Sequence, residues 1–122
     1  ALCDGNSVKS FVGTTFSAGM AGAGIQGGAI GEENTGAGDM RLADEDLEMR
    51  HFKRGLVSMV NDGEHSNGSE FLVTFTDATY MDGYNNIVGE LVEGDAILAQ
   101  MEADCGRDGK VASEWKVSAA GL

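Results

Sequence analysis

The sequence of 122 residues contains no proline and few basic residues, and each shortage excludes a class of structure or partner. Without proline to fix the backbone, turns must rest on the 19 glycines. Eight Lys and Arg residues against twenty Asp and Glu residues give a formal net charge of −12, which repels phosphate backbones and anionic lipid head groups. No apolar run approaches the roughly 20 residues of a membrane helix. We therefore expect no nucleic-acid partner and no transmembrane span.

Cysteine and histidine are also scarce, with two of each in the chain. Cys3 and Cys105 form either one disulfide or two separate thiols, and the buried thiol is the commoner state of a small protein's cysteine. His51 and His65 have no cysteine or carboxylate at ligand spacing, so we interpret both as loop histidines. The sequence therefore predicts no metal and no cofactor.

The length and the 42% hydrophobic content suit one compact domain over residues 1–122. The chain begins with Ala1 instead of Met, which fits either a processed protein or part of a longer one. No signal or transit pattern indicates a compartment. An organellar protein of a lumen or stroma and a cytoplasmic protein therefore both remain open.

A glycine-rich run at residues 19–28 has two interpretations. Gly22, Gly24 and Gly27 match the G-x-G-x-x-G pattern of dinucleotide-binding loops. That pattern needs an amphipathic helix after it, and residues 29–36 have no helical period. A pair of closely packed strands is therefore favoured.

The acidic stretch at residues 31–51 begins as a surface loop, because Gly, Asn and Thr cluster there without periodicity. Its carboxylates Asp44, Glu45, Asp46 and Glu48 suggest calcium. Their spacing lacks the pattern of a calcium-binding loop, so a solvated acidic surface is favoured.

Short apolar segments separated by Gly, Asn and Asp predict strands over residues 55–60, 70–75 and 86–92, with a last strand over 113–117 that places Trp115 in the core. The best helix spans residues 95–105. Asp95 is its expected N-cap and Gly106 its expected stop. Ile97, Leu98 and Met101 are expected on one apolar face. The pattern is typical of an antiparallel β-rich domain with a helix across it.

The central strands and the loop between them resemble the cyclophilin family of peptidyl-prolyl isomerases. The family pattern S-M-A-N-x-G-x-x-x-N-G-S-Q-F-F is matched by Ser58, Met59, Asn61, Gly63, Asn67, Gly68, Ser69 and Phe71. The upstream pattern F-H-R-I-I-P-G-F-M-x-Q-G-G-D-F is matched by Phe16, Gly22, Gln26, Gly27 and Gly28. The similarity covers nearly the whole chain.

The resemblance implies a mainly β fold: a cyclophilin-like antiparallel β-barrel capped by one or two helices, with a proline pocket on its outer face. The opening strands and most of the first helix of a typical member are absent from this sequence, which makes it N-terminally truncated relative to the family. An incomplete barrel is therefore an alternative to the closed barrel of the family. Open edges invite pairing with a neighbour.

The residues that the resemblance assigns to catalysis are replaced here. The family's catalytic arginine falls on Ala18, and the histidine before it falls on Ser17. Two apolar pocket positions fall on Ala23 and Gly24. Of the surrounding cations, Arg41, Arg50 and Arg54 are possible substitutes, although a solvated surface role is favoured for each.

Other groove positions keep polar groups that suit peptide binding. The resemblance assigns the peptide-binding groove to Gln26, Asn61, Glu70, Leu72, Tyr80 and Asn85. Gln26 and Asn61 are the family residues, whereas Glu70 places a negative charge beside the groove and Leu72 replaces a phenylalanine.

The sequence thus supports two functions. The favoured one is a cyclophilin-like domain with a degraded isomerase site, which acts as a structural or accessory subunit of a larger protein assembly. The alternative is an active or weak peptidyl-prolyl isomerase, or folding helper, that binds X–Pro peptides. Both imply a protein or peptide partner.

Overall fold

The computed structural model describes residues 11–28, 50–60 and 68–120. Their elements are strands β1 (Ala18–Met20), β2 (Gly24–Gly27), β3 (Leu56–Met59) and β4 (Phe71–Thr74), a 3-10 helix (Thr79–Met81), strand β5 (Ile87–Glu90) and helix α1 (Asp95–Asp104). The five strands form one antiparallel sheet in the order β1-β2-β4-β3-β5. The mainly β fold is confirmed.

The glycine-rich run forms the β1–β2 hairpin, which confirms the predicted strand pair. Two of its glycines, Gly19 and Gly27, are required by close packing. A Cβ at Gly19 would lie 2.5 Å from Cys105 Sγ, and one at Gly27 would lie 2.7 Å from the Phe16 ring. Only glycine lets these neighbours approach so closely.

The core lies between one face of the sheet and α1. Its buried members are Ile25, Phe75, Leu98, Met101 and Cys105, and Phe16, Val73, Val111 and Trp115 pack against them. Cys105 is a free thiol. Burial, with help from the carboxylates of Asp104 and Glu102, raises its pKa.

Helix α1 occupies the predicted position but corrects two of its details. The N-cap is Gly94, whose φ of 97° is in the left-handed region, and Asp95 is the first helical residue. The Asp95 carboxylate binds Arg54 and makes no capping hydrogen bond. Ile97 was expected on the buried face, yet 55% of it is exposed. The buried residues of this helix are Leu98 and Met101.

The prediction of a regular last strand over residues 113–117 is wrong. Residues 113–117 form a single bridge, Thr15 with Lys116, to a segment that is itself irregular. The sheet described here is consistent with an incomplete barrel and does not close on itself. Within the three described segments, no helix is both long and apolar enough to span a bilayer.

Candidate functional site

The side of the sheet opposite the core, its outer face, carries a row of residues from four strands. Cα partners in register are Ala18 with Gln26, Gln26 with Leu72, and Leu72 with Ser58. Directly opposed residues in an antiparallel sheet share a face. Two parts of this row have different surroundings. We call the part with Ala18, Gln26 and Leu72 the groove half, and the part around Ser58 the covered half.

The groove half is a shallow depression of about 270 Å³. It is lined by Ala18, Gly19, Met20, Ala23, Gly24, Gln26, Leu72 and Gly109. Five positions that the family pattern assigns therefore meet in one place: Ala18, Ala23, Gly24, Gln26 and Leu72. None of the described lining residues is charged. Three lining residues were missed: the resemblance gave no role to Gly19 and Met20, and the turn that brings in Gly109 is a tertiary feature.

The floor of the groove has no room for a larger side chain. A Cβ at Gly24 would lie 2.8 Å from both Leu72 Cδ2 and the Val73 carbonyl oxygen. The family pattern has an apolar side chain at this position. Glycine here lets Leu72 lie directly against the backbone of the groove floor.

One polar pair borders the groove. The Gln26 side-chain amide donates a long hydrogen bond of 3.4 Å to Glu70 Oε1. The structure thus places Glu70 beside the groove. The carbonyl end of Gln26 is an acceptor and its amide nitrogen a donor, so this residue can bind a peptide backbone in either sense.

Arg54, a candidate substitute for the missing arginine, is committed elsewhere. Its Nε donates to Asp95 Oδ1 at 3.0 Å and its Nη1 to Glu102 Oε1 at 2.9 Å. Hydrogen bonds to Asp95 and Glu102 raise the pKa of Arg54 further above its ordinary value. Its side chain is 29% exposed and pairs with the exposed Asp95 carboxylate at the surface. It does not line the groove.

The covered half is closed by a chain of hydrogen bonds that runs from Asp82 through His51 to Ser58. The His51 backbone N–H and Nδ1 lie 2.6 Å and 2.9 Å from Asp82 Oδ1. Its Nε2 lies 2.8 Å from Ser58 Oγ, which donates to the Asn86 carbonyl at 3.2 Å. His51 and Ser58 are both 0% exposed. Because solvent reaches neither the Ser58 hydroxyl nor the His51 ring, this Ser-His-Asp chain suits structure and not nucleophilic attack.

The contact with His51 also changes the pKa of Asp82. The backbone N–H of His51, followed by its ring, holds the pKa of the Asp82 carboxyl below its ordinary range. His51 was expected to be a loop histidine. It does lie outside helix and strand, but its burial was not foreseen, since its partners come from other segments.

The remaining sequence-predicted residues are placed as follows. Asn85 donates through Nδ2 to the Met59 carbonyl at 3.0 Å and does not line the groove. Tyr80 lies in the 3-10 helix. Arg50 is exposed. Asn61, Cys3, Arg41, His65 and the acidic carboxylates Asp44, Glu45, Asp46 and Glu48 lie outside the described residues. The described residues contain no cluster of three or more His, Cys, Asp or Glu side chains that suits a metal ion.

The chemistry available in the groove is that of weak peptide binding. Small apolar walls suit a small apolar ring or side chain, and Gln26 can hydrogen-bond a backbone. Twisting an amide through its barrier of about 20 kcal/mol exposes a lone pair on nitrogen, which a charged donor would stabilise. No described lining residue supplies such a donor.

Comparison with known proteins identifies the family of the chain. The family described as cyclophilin-type peptidyl-prolyl cis-trans isomerase matches residues 1–121. The chain is 30% identical over 120 residues to a peptidyl-prolyl cis-trans isomerase of Encephalitozoon cuniculi, covering 95% of this chain and 70% of that protein. It is 35% identical over 95 residues to peptidyl-prolyl cis-trans isomerase B of Saccharomyces cerevisiae, covering 73% of this chain and 46% of that protein.

A third relative is the mouse protein named probable inactive peptidyl-prolyl cis-trans isomerase-like 6. It is 39% identical over 82 residues, which cover 64% of this chain and 26% of the mouse protein. The chain thus spans under half the length of the mouse and yeast relatives.

Proposed function

Since the chain belongs to the cyclophilin-type peptidyl-prolyl cis-trans isomerase family, we propose that it is a member with a degraded isomerase site. It binds extended peptides weakly in its groove and serves as an accessory subunit of a larger protein assembly. One observation carries this proposal most directly: Ala18, at the position of the family's catalytic arginine, lines the groove among uncharged residues.

The expected loss of activity follows from the missing donor. A charged donor aimed at the developing lone pair acts as an oxyanion-hole donor does, and removal of one such donor costs about 10²–10³ in rate. Leu72 in place of the family phenylalanine removes an aromatic wall, and Gly24 on the floor replaces a larger apolar side chain. The mouse relative carries the words "probable inactive" in its name, which agrees with loss of activity within the family.

Two measurements test the proposal. Titration of the chain with a peptide containing Ala-Pro, followed by amide NMR, is expected to shift the signals of Ala18, Gln26 and Leu72. The matched variant Gln26→Leu should weaken this binding while leaving the fold intact. Shifts that avoid the groove would contradict peptide binding there. The accessory role predicts that the native protein runs far above the mass of its own monomer in extracts of its own cells.

The alternative is an active or weak isomerase, or a folding helper, that binds X–Pro peptides. It is favoured by one observation, the presence of Gln26 with its donor and acceptor in the groove. Turnover of X–Pro peptides by the unmodified chain at the ordinary rate of the family would select this alternative.

A further inference from the structure

A carboxylate lies beside the groove at a position where the family pattern has a neutral amide. Glu70 comes directly before β4, in the place of the glutamine of that pattern. The Val60 N–H donates to the Glu70 carbonyl at 3.0 Å, so the backbone ladder between the two strands extends to Glu70. Side chains two residues apart in an extended segment point to the same face. Glu70 therefore shares the outer face with Leu72.

The contact with Gln26 shows how near this carboxylate lies to the groove. Glu70 Oε1 is 3.4 Å from Gln26 Nε2, and Gln26 itself lines the groove. A carboxylate has two oxygens and accepts several hydrogen bonds at once. A cation of a bound peptide can therefore join Gln26 at the Glu70 carboxylate while the rest of that peptide lies in the groove.

The walls of the groove select by size and not by charge. Most of its described lining residues are glycine or alanine: Ala18, Gly19, Ala23, Gly24 and Gly109. Such walls accept a small apolar side chain and offer an ionic group no partner. Because a charged group is costly to desolvate without a partner, the ionic part of peptide recognition falls to Glu70 at the border of the groove.

The two sides of the groove differ in charge. On the β4 side lies Glu70, whereas on the β1 side Gly109 reaches the groove in a turn that a backbone hydrogen bond of 3.2 Å holds to β1. That turn carries the exposed cations Arg107 and Lys110 around a single carboxylate, Asp108, which accepts from the Lys110 N–H at 3.1 Å. A basic side chain of a bound peptide is therefore favoured at Glu70 and disfavoured at the turn.

We propose that the groove prefers peptides that have a small apolar residue and a Lys or Arg two residues away from it. The small residue lies between the alanine and glycine walls, and the basic side chain lies against the Glu70 carboxylate. Two residues of extended peptide span about 6.6 Å and return to the same face, which matches the spacing of Glu70 and Leu72. This inference rests on the proposed peptide binding and names the class of peptide that is bound.

The experiment titrates the full chain with three acetylated and amidated peptides that differ only in charge. They are Gly-Lys-Ala-Pro-Ala-Lys-Gly and its counterparts with Gln or Glu in place of both Lys residues. A Lys on each side of the proline makes the design independent of the direction in which the peptide lies. At a salt concentration of about 0.15 M, the Lys peptide should bind about threefold more tightly than the Gln peptide, and the Glu peptide should bind most weakly.

Matched variants separate Glu70 from the general attraction of an acidic protein for basic peptides. Glu70→Gln removes the charge and keeps an acceptor for Gln26, so it should reduce the preference for Lys over Gln about threefold. Glu93→Gln removes the same charge in a separate depression that it shares with Arg54, and it should change the preference less than about 1.5-fold. Amide spectra check that both variants are folded.

Two results would overturn the preference while peptide binding in the groove stands. One is equal binding of the Lys and Gln peptides to the native chain, with shifts of the Ala18, Gln26 and Leu72 signals in both titrations. The other is an equal loss of preference in Glu70→Gln and Glu93→Gln. Peptides that shift none of these three signals would instead refute the groove itself and the preference with it. The two failures are thus distinguishable.

Discussion

The covered half and the groove half lie on the same face of one sheet, yet they are built in opposite ways. In the covered half, His51 joins Asp82 to Ser58 with every distance at or below 2.9 Å, and no solvent reaches the ring. In the groove half, small and uncharged side chains leave an open depression. The first half holds the fold together, whereas the second is an open depression with no charged group among its described lining residues.

The largest expected effect is in the covered half. His51→Ala leaves the Asp82 carboxylate and the Ser58 hydroxyl without their buried partner and creates a cavity, so stability should fall by about 3 kcal/mol. Urea unfolding measures it. Gln26→Ala in the groove half should cost less than about 1 kcal/mol, since that side chain makes one long hydrogen bond. Equal losses would remove the distinction between the halves.

Two glycines of the sheet, Gly24 and Gly89, differ in the space around them and allow a second comparison. Gly24→Ala forces a Cβ against Leu72 and the Val73 carbonyl, so it should destabilise the fold by about 2 kcal/mol. Gly89→Ala places its methyl group in open space on β5 and should change stability by less than about 0.5 kcal/mol. Thermal unfolding of both variants checks this. A tolerated Gly24→Ala would mean that the groove floor can move.

Arg54 tests whether any cation outside the groove contributes to its chemistry. Arg54→Met removes the links to Asp95 and Glu102 and should cost about 1 kcal/mol of stability, a modest figure because the pairs are partly exposed. Any residual isomerisation should be unchanged, since Arg54 does not line the groove. A selective loss of activity in a fully folded Arg54→Met protein would show that this arginine reaches the substrate.

The smallest expected effect is on pH dependence. The pKa of Asp82 is lowered in the folded chain, so its stabilising contribution is complete above its unfolded pKa and is lost as pH falls through the folded value. Stability should therefore decline below about pH 5, and Asp82→Asn should flatten that decline. Denaturant midpoints at a series of pH values measure the slope.

Glu90 provides the exposed counterpart to Asp82. Lys53 lowers the pKa of Glu90, but both side chains are about half exposed. Added salt should therefore abolish the effect of Glu90→Gln on the slope and leave that of Asp82→Asn. An Asp82→Asn protein with the native slope would contradict the assignment of the acid limb to this carboxylate.

Local pattern and family resemblance predicted much of the fold. Strands such as β4 (Phe71–Thr74) were predicted because apolar runs between turn residues favour strands, and the hairpin because its glycines need close neighbours. The N-cap was mispredicted because Arg54, far away in sequence, binds the Asp95 carboxylate. The spacing of residues along the sequence does not indicate such a tertiary contact.

The groove was only partly predictable for the same reason. Ala18, Gln26 and Leu72 follow from the family pattern, and strand register brings them together. Gly109 joins the groove through a turn held to β1, which no local pattern indicates. The buried His51 needs partners from the 3-10 region and from β3, so its environment appears only in the folded chain.

The most direct test is exchange NMR of an Ala-Pro-Phe peptide with the native chain and with an Ala18→Arg, Leu72→Phe variant, each at equal concentration and confirmed as folded. We expect no cis/trans exchange above background for the native chain and measurable exchange for the variant, because the variant regains the donor and an aromatic wall. Exchange by the native chain at the ordinary rate of the family would contradict the proposed loss of activity.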